Sequence, residues 1–188
     1  LATSREGKAQ LNAYLDDYAY LIDAILELLQ ARWTDEYLLF ACELADRLLD
    51  HFEDARNGGF FFTSDDHENL VYRPKPLGDD AMPSGNAVAV EALQTLAQLI
   101  AKPRLHQAAD RALQVAWSAI ERSPYAHVGL LEGLQRYLEP PEQLVIRGTP
   151  PELDAWRQAA CASYVPSRTV FAVPLETGQL PQGLADKT

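Results

Sequence analysis

The chain has 188 residues, 47% of them hydrophobic, and a formal net charge of −11. The length suits one domain with an appendage, and the composition suits a substantial core. A surface this acidic repels nucleic-acid phosphates and anionic lipid headgroups, and no apolar run reaches membrane-spanning length, so neither kind of partner is expected.

The first periodic segment predicts a helix from Tyr14 to about Arg32, with Leu15, Tyr18, Ile22, Ile25 and Leu29 at helical spacing. Thr34 can cap a second helix, with Asp35 and Glu36 in a first turn that favours acidic groups. Its apolar face is Tyr37, Ala41, Leu44, Leu48 and Phe52. Asn57-Gly58-Gly59 predicts a turn. Phe60 to Thr63 and Asn69 to Arg73 then read as the two strands of a β-hairpin inserted between helices. A loop through Gly78 leads to a third helix, from about Ser84 to Ile100, whose nearly unbroken small-apolar run predicts burial on most sides. A fourth helix is expected from Arg104 to Arg122, and a fifth from Pro124 to the Pro140-Pro141 step.

Beyond residue 142 the pattern changes. Gln143 to Gly148 and Arg168 to Pro174 read as strands. Between them Thr149, Pro150 and Glu152 form a capping-box signature, so the segment predicts a β-α-β unit with parallel strands. The last dozen residues read as a loose arm. The expected division is a helical-hairpin region, 1–142, and an appendage, 143–188. Helix pairs of roughly 45–50 residues suggest a solenoid or a partial α/α toroid, a mainly α fold.

Cys42 and Cys161 stand alone without a CxxC pair, and His51, His67, His106 and His127 are scattered. No metal and no cofactor is therefore expected. There is no signal-peptide pattern, and a cytoplasmic location is expected. The chain starts at Leu1 with a polar stretch, and is read as a piece of a longer protein.

The segments LDDYAYLIDAILELLQA, NGGFFFTSDD, RPKPLGDDAMPSGNAVAVEAL and QLVIRG, in this order, resemble the C-terminal part of the YyaL-type, spermatogenesis-associated thioredoxin-domain proteins. The resemblance runs from about Leu11 to Pro174. It implies an α/α toroid similar to those of N-acylglucosamine 2-epimerases and six-hairpin glycosidases, here lacking an N-terminal thioredoxin-like domain and about half of the toroid. Any redox activity would belong to that missing domain. Self-association through exposed helix faces would follow from an incomplete toroid.

Candidate site residues follow the helix entrances. On the first helix Asp17 aligns with Leu21, Ala24, Leu28 and Ala31, an apolar stripe where a carboxylate is costly unless it caps the helix or opens into a polar cavity. Asp16 aligns with Tyr20, Asp23, Glu27 and Gln30, and reads as a solvated surface residue. Asp79 and Asp80 precede the third helix and are either loop carboxylates favoured by its dipole or acid/base groups. Glycoside chemistry needs one carboxyl to donate a proton while another stays ionised, so a pairing of Asp17 with Asp79 or Asp80 is the catalytic expectation.

Ser84, Gly85 and Asn86 can cap that helix or hold a ligand, and the two aspartates favour a neutral polyol over phosphate. Phe60 and Phe62 share one face and, with Tyr18, can pack in the core or stack on a sugar ring. Arg73 and Lys75 can neutralise Asp79 and Asp80 or bind an acidic sugar. Two functions are thus expected as alternatives. One is a carbohydrate-processing pocket, acting by hydrolysis or epimerisation. The other is a non-catalytic scaffold serving the thioredoxin-like domain.

Overall fold

The computed structural model describes residues 3–10, 12–67, 71–178 and 180–185. It opens on two short antiparallel strands, β1 (Thr3–Arg5) and β2 (Lys8–Gln10), where the sequence reads only as polar. Five helices follow: α1 (Leu15–Ala31), α2 (Asp35–Phe52), α3 (Gly85–Ile100), α4 (Pro103–Arg122) and α5 (Val128–Leu138). Each lies within a few residues of its expected span, because each carries an apolar stripe at helical spacing that must be covered. A 3-10 turn, Pro124–Ala126, occupies the expected start of the fifth helix.

The helices form two layers. α1, α3 and α5 pack side by side, while α2 lies on α1 and α4 on α3. α3 is central, and fourteen of its sixteen residues are buried. Small side chains such as Ala87, Ala89, Ala92 and Ala97 let its neighbours approach from several sides. That explains a run without the polar stripe of an ordinary surface helix.

The expected β-hairpin between α2 and α3 does not form among the described residues. Only an isolated bridge, Glu53 to Phe60, is present, and Asn69 and Leu70 of the expected return strand lie outside the described residues. The backbone partners explain this. Phe60 exchanges its backbone bonds with the Asn86 side chain, Phe61 N–H donates to Phe52 O, and Phe62 N–H donates to Pro74 O. Three scattered partners take the place of one strand, and Pro74 and Pro76 have no N–H to offer a ladder.

After α5, β3 (Glu142–Gly148), α6 (Pro150–Ala160) and β4 (Arg168–Pro174) form the expected unit, with β3 and β4 parallel and Glu142 opposite Arg168. Thr149 N–H donates to Glu152 Oε2 at 2.8 Å at the start of α6. Phe171 and Val173 of β4 are fully buried and join the helical core. Within the expected loose arm the described residues form a short helix, α7 (Gln182–Ala185), with Leu184 fully buried against the same core. An apolar side chain at the right spacing is enough to dock a short arm where a groove stands open. No helix among the described residues is long and apolar enough to cross a membrane.

Candidate functional site

The entrance to α3 is built by side chains that satisfy backbone groups. Ser84 accepts from Ala87 N–H at 3.3 Å and donates to Leu77 O at 3.1 Å. Asp79 accepts from Ser84 N–H and Gly129 N–H, both at 2.9 Å, and so ties the start of α3 to the start of α5. Asn86 is fully buried and bridges Phe60 N–H, Phe60 O and Pro76 O. Asp80 is exposed, and its backbone N–H donates to Met82 O.

On α1 Asp17 takes the capping role that was one of its two expected readings, whereas Asp16 is not the solvated surface residue expected. Asp17 is exposed and accepts from Tyr14 N–H at 2.8 Å, a helix-start bond, and its stripe, with Leu21 and Leu28, faces outward. The stripe of Asp16 turns toward α3. Asp16 Oδ1 is buried with no hydrogen-bond partner, and a side chain added at Gly85 would run into it. Burial, then the charge of Asp17, pushes the Asp16 carboxyl above the usual carboxylate range. Gly85 is therefore a close-approach glycine, where the missing Cβ makes room for a carboxyl oxygen.

The same stripe continues along α1. Tyr20 Oη donates to Pro83 O at 2.8 Å. Its phenol is pushed up by burial first, then by Asp16, Asp79 and Asp23. Asp23 is raised to about 6 by burial, then by Glu91 and Glu27, against an opposing effect of Arg136. Glu91 of α3 and Arg136 of α5 form an ion pair at 2.5 Å. Asp16, Tyr20 and Asp23, with Glu91 and Arg136, thus make a polar seam across the three helices of one layer. An apolar cavity of about 410 Å³ lies at the other end of α3, and Arg136 borders both.

The aromatic and basic candidates are placed apart from this seam. Phe60 is fully buried in the core. Phe62 stacks on Tyr14, with ring centroids 4.8 Å apart, and Tyr18 tilts against Phe52 at 5.1 Å. Lys75 pairs with Asp54 at 2.8 Å rather than with Asp79 or Asp80. The ammonium of Lys75, followed by bonds from Asn57, holds the Asp54 carboxyl well below the usual range. Arg73 donates to the carbonyls of Thr63 and His51 and lies over the Phe61 ring at 4.3 Å.

The seam residues Asp23, Glu91 and Arg136 were not among the expected site residues. The polar stripe on α1 is legible in the sequence. That it meets α3 instead of water is a matter of helix rotation, which the sequence pattern does not carry.

No family model matches the chain. It is 28% identical over 161 residues to Spermatogenesis-associated protein 20 from Mus musculus, covering 84% of this chain and 20% of that protein. The Rattus norvegicus protein of the same name is 27% identical over 161 residues, with the same coverage. Uncharacterized protein B0495.5 from Caenorhabditis elegans is 27% identical over 145 residues, 77% of this chain and 20% of that protein. The chain thus matches about a fifth of the length of these relatives.

Proposed function

We propose a role for this chain from its place as a distant homologue of one region of the spermatogenesis-associated protein 20 family: it supplies one wall of a carbohydrate-binding cavity. The two helix layers support reading its first 142 residues as an arc of an α/α toroid, with 143–188 as an appendage. A cytoplasmic setting belongs to the same proposal and is supported by two free cysteines.

One observation carries the ligand class. Asp16 presents a buried carboxyl oxygen without a partner, beside the start of a helix and in line with Tyr20 and Asp23. A carboxyl that favours its protonated form can donate or accept, as can a phenol, which suits a neutral polyol. A strongly anionic ligand would meet Asp16, Asp23, Asp79 and Glu91 and be repelled.

Binding is better supported than turnover. Both oxygens of Asp79 and one of Asp17 already accept backbone bonds, so they serve positioning before proton transfer. For hydrolysis or epimerisation, Asp16 and Asp23 are the stronger acid candidates, because both are raised. The second reading, a scaffold for a thioredoxin-like partner domain, is favoured by how fully Asp54, Arg73, Lys75 and Asn86 are used in internal bonds.

The test is calorimetric titration with neutral monosaccharides and their uronic acids. The expected result is saturable binding of a neutral sugar, weakened about tenfold or more by Asp16→Asn or Asp23→Asn, with the uronic acid weaker still. Binding of neither sugar, or binding indifferent to both variants, rejects the carbohydrate reading in favour of the scaffold.

A further inference from the structure

Away from the polar seam, the last turn of α2 meets the loop that follows Phe62. His51 lies in that turn, and its Nδ1 is 2.7 Å from Asp65 Oδ1. Asp66 is the next residue. One ligand atom each from His51, Asp65 and Asp66 lies within 4.8 Å of the others. A first-row ion held at about 2.0–2.2 Å from each donor needs adjacent donors roughly 3.0–3.6 Å apart, so the exposed carboxylates rotate inward to close the set.

An independent observation points the same way. Ser64 is 6% exposed, and its hydroxyl lies beside Asp66 yet makes no hydrogen bond of ordinary geometry. It lines, with His51, Asp66, Asn12 and Tyr18, a cavity of about 210 Å³. A buried hydroxyl with only a poorly aligned carboxylate beside it is weakly satisfied, and a bound ion or its coordinated water would complete it.

The loop is held in place from both sides. Asp65 N–H donates to His51 O at 3.0 Å, and Asn12 Nδ2 donates to Asp66 Oδ1 at 3.2 Å. Arg47 also lines the cavity, but its guanidinium is drawn to Glu43 at 3.0 Å.

We propose that His51, Asp65 and Asp66 form a binding site for one divalent first-row transition ion. The donor set is one imidazole nitrogen and two carboxylate oxygens, with Ser64 and solvent completing the shell. An imidazole donor favours Zn²⁺ over the hard ions Mg²⁺ and Ca²⁺, which prefer oxygen throughout. The site would pin the loop between α2 and α3 to the end of α2.

The test titrates Zn²⁺ into the chain, in a Cys161→Ser background that removes the exposed thiol, with Mg²⁺ and Ca²⁺ as controls. The expected result is one Zn²⁺ per chain, weakened at least tenfold by His51→Gln and by Asp66→Asn. Among the four imidazoles, the His51 ring signals should shift in NMR spectra, and neither control ion should move them. The proposal is overturned by zinc binding that both variants leave unchanged, by shifts at His106 or His127 without His51, or by no binding. Should a variant unfold, the ring shifts of the Cys161→Ser chain still decide.

Discussion

Asn86 makes three hydrogen bonds from a fully buried position, two to Phe60 and one to Pro76. Removing its amide would leave one N–H and two carbonyls unpaired in the core. Asn86→Ala should therefore lower the unfolding free energy by about 3–5 kcal/mol, read from chemical denaturation. Asp79 is half-buried and accepts two backbone bonds, so Asp79→Ala should cost about 2–4 kcal/mol and Asp79→Asn less, since one acceptor remains. Gly85→Ala tests the close approach of Asp16. It should cost about 1–3 kcal/mol, and clearly less in an Asp16→Ala background. Equal costs in the two backgrounds would mean that the Asp16 carboxyl does not occupy that space.

At the scale of an element, α1 carries a pH dependence. Asp23 is raised from an ordinary 3.8 to about 6, chiefly by burial, then by Glu91 and Glu27. The folded chain holds this proton more tightly than the unfolded chain. Its contribution to stability is complete below about 3.8 and is lost as pH rises through about 6. Asp16 is raised as well and acts with the same sign. Asp54 is lowered, so its contribution is present above the ordinary carboxylate value and lost only in stronger acid, outside this window. The expected outcome is a Tm that falls between pH 4.5 and 7, with a shallower fall in Asp23→Asn. An unchanged slope in that variant would place the titrating group elsewhere.

For the whole molecule, the question is whether the β-α-β unit shares the core of the helices. Phe171 is fully buried, with its ring edge-on to Trp33 at 6.2 Å, and Val170 N–H donates to Gln30 Oε1 of α1 at 3.2 Å. A two-stranded sheet has little stability of its own, and docking on α1 provides the covering face that parallel strands require. Phe171→Ala should cost about 3–5 kcal/mol, and the chain should melt in one calorimetric transition. Two transitions in the unaltered chain would show that the strand pair folds apart from the helices.

The sequence by itself determined where the helices and the C-terminal strands run. Their signals are local: apolar spacing along α1, α2 and α4, the Ser84 cap, and the pairing of Thr149 with Glu152. The small-apolar run also determined that α3 would be central. What it did not determine was the rotation of each helix about its axis. Neighbouring positions on a helix point about 100° apart, so whether Asp16 or Asp17 meets α3 depends on how the whole helix is turned. That turn was decided by packing α1 against α2, α3 and β4 together. Tertiary contacts also decided the segment after α2. Asn86 claims the backbone of Phe60, and the N–H groups of Phe61 and Phe62 go to Phe52 O and Pro74 O, so the pairings a hairpin would need are already taken.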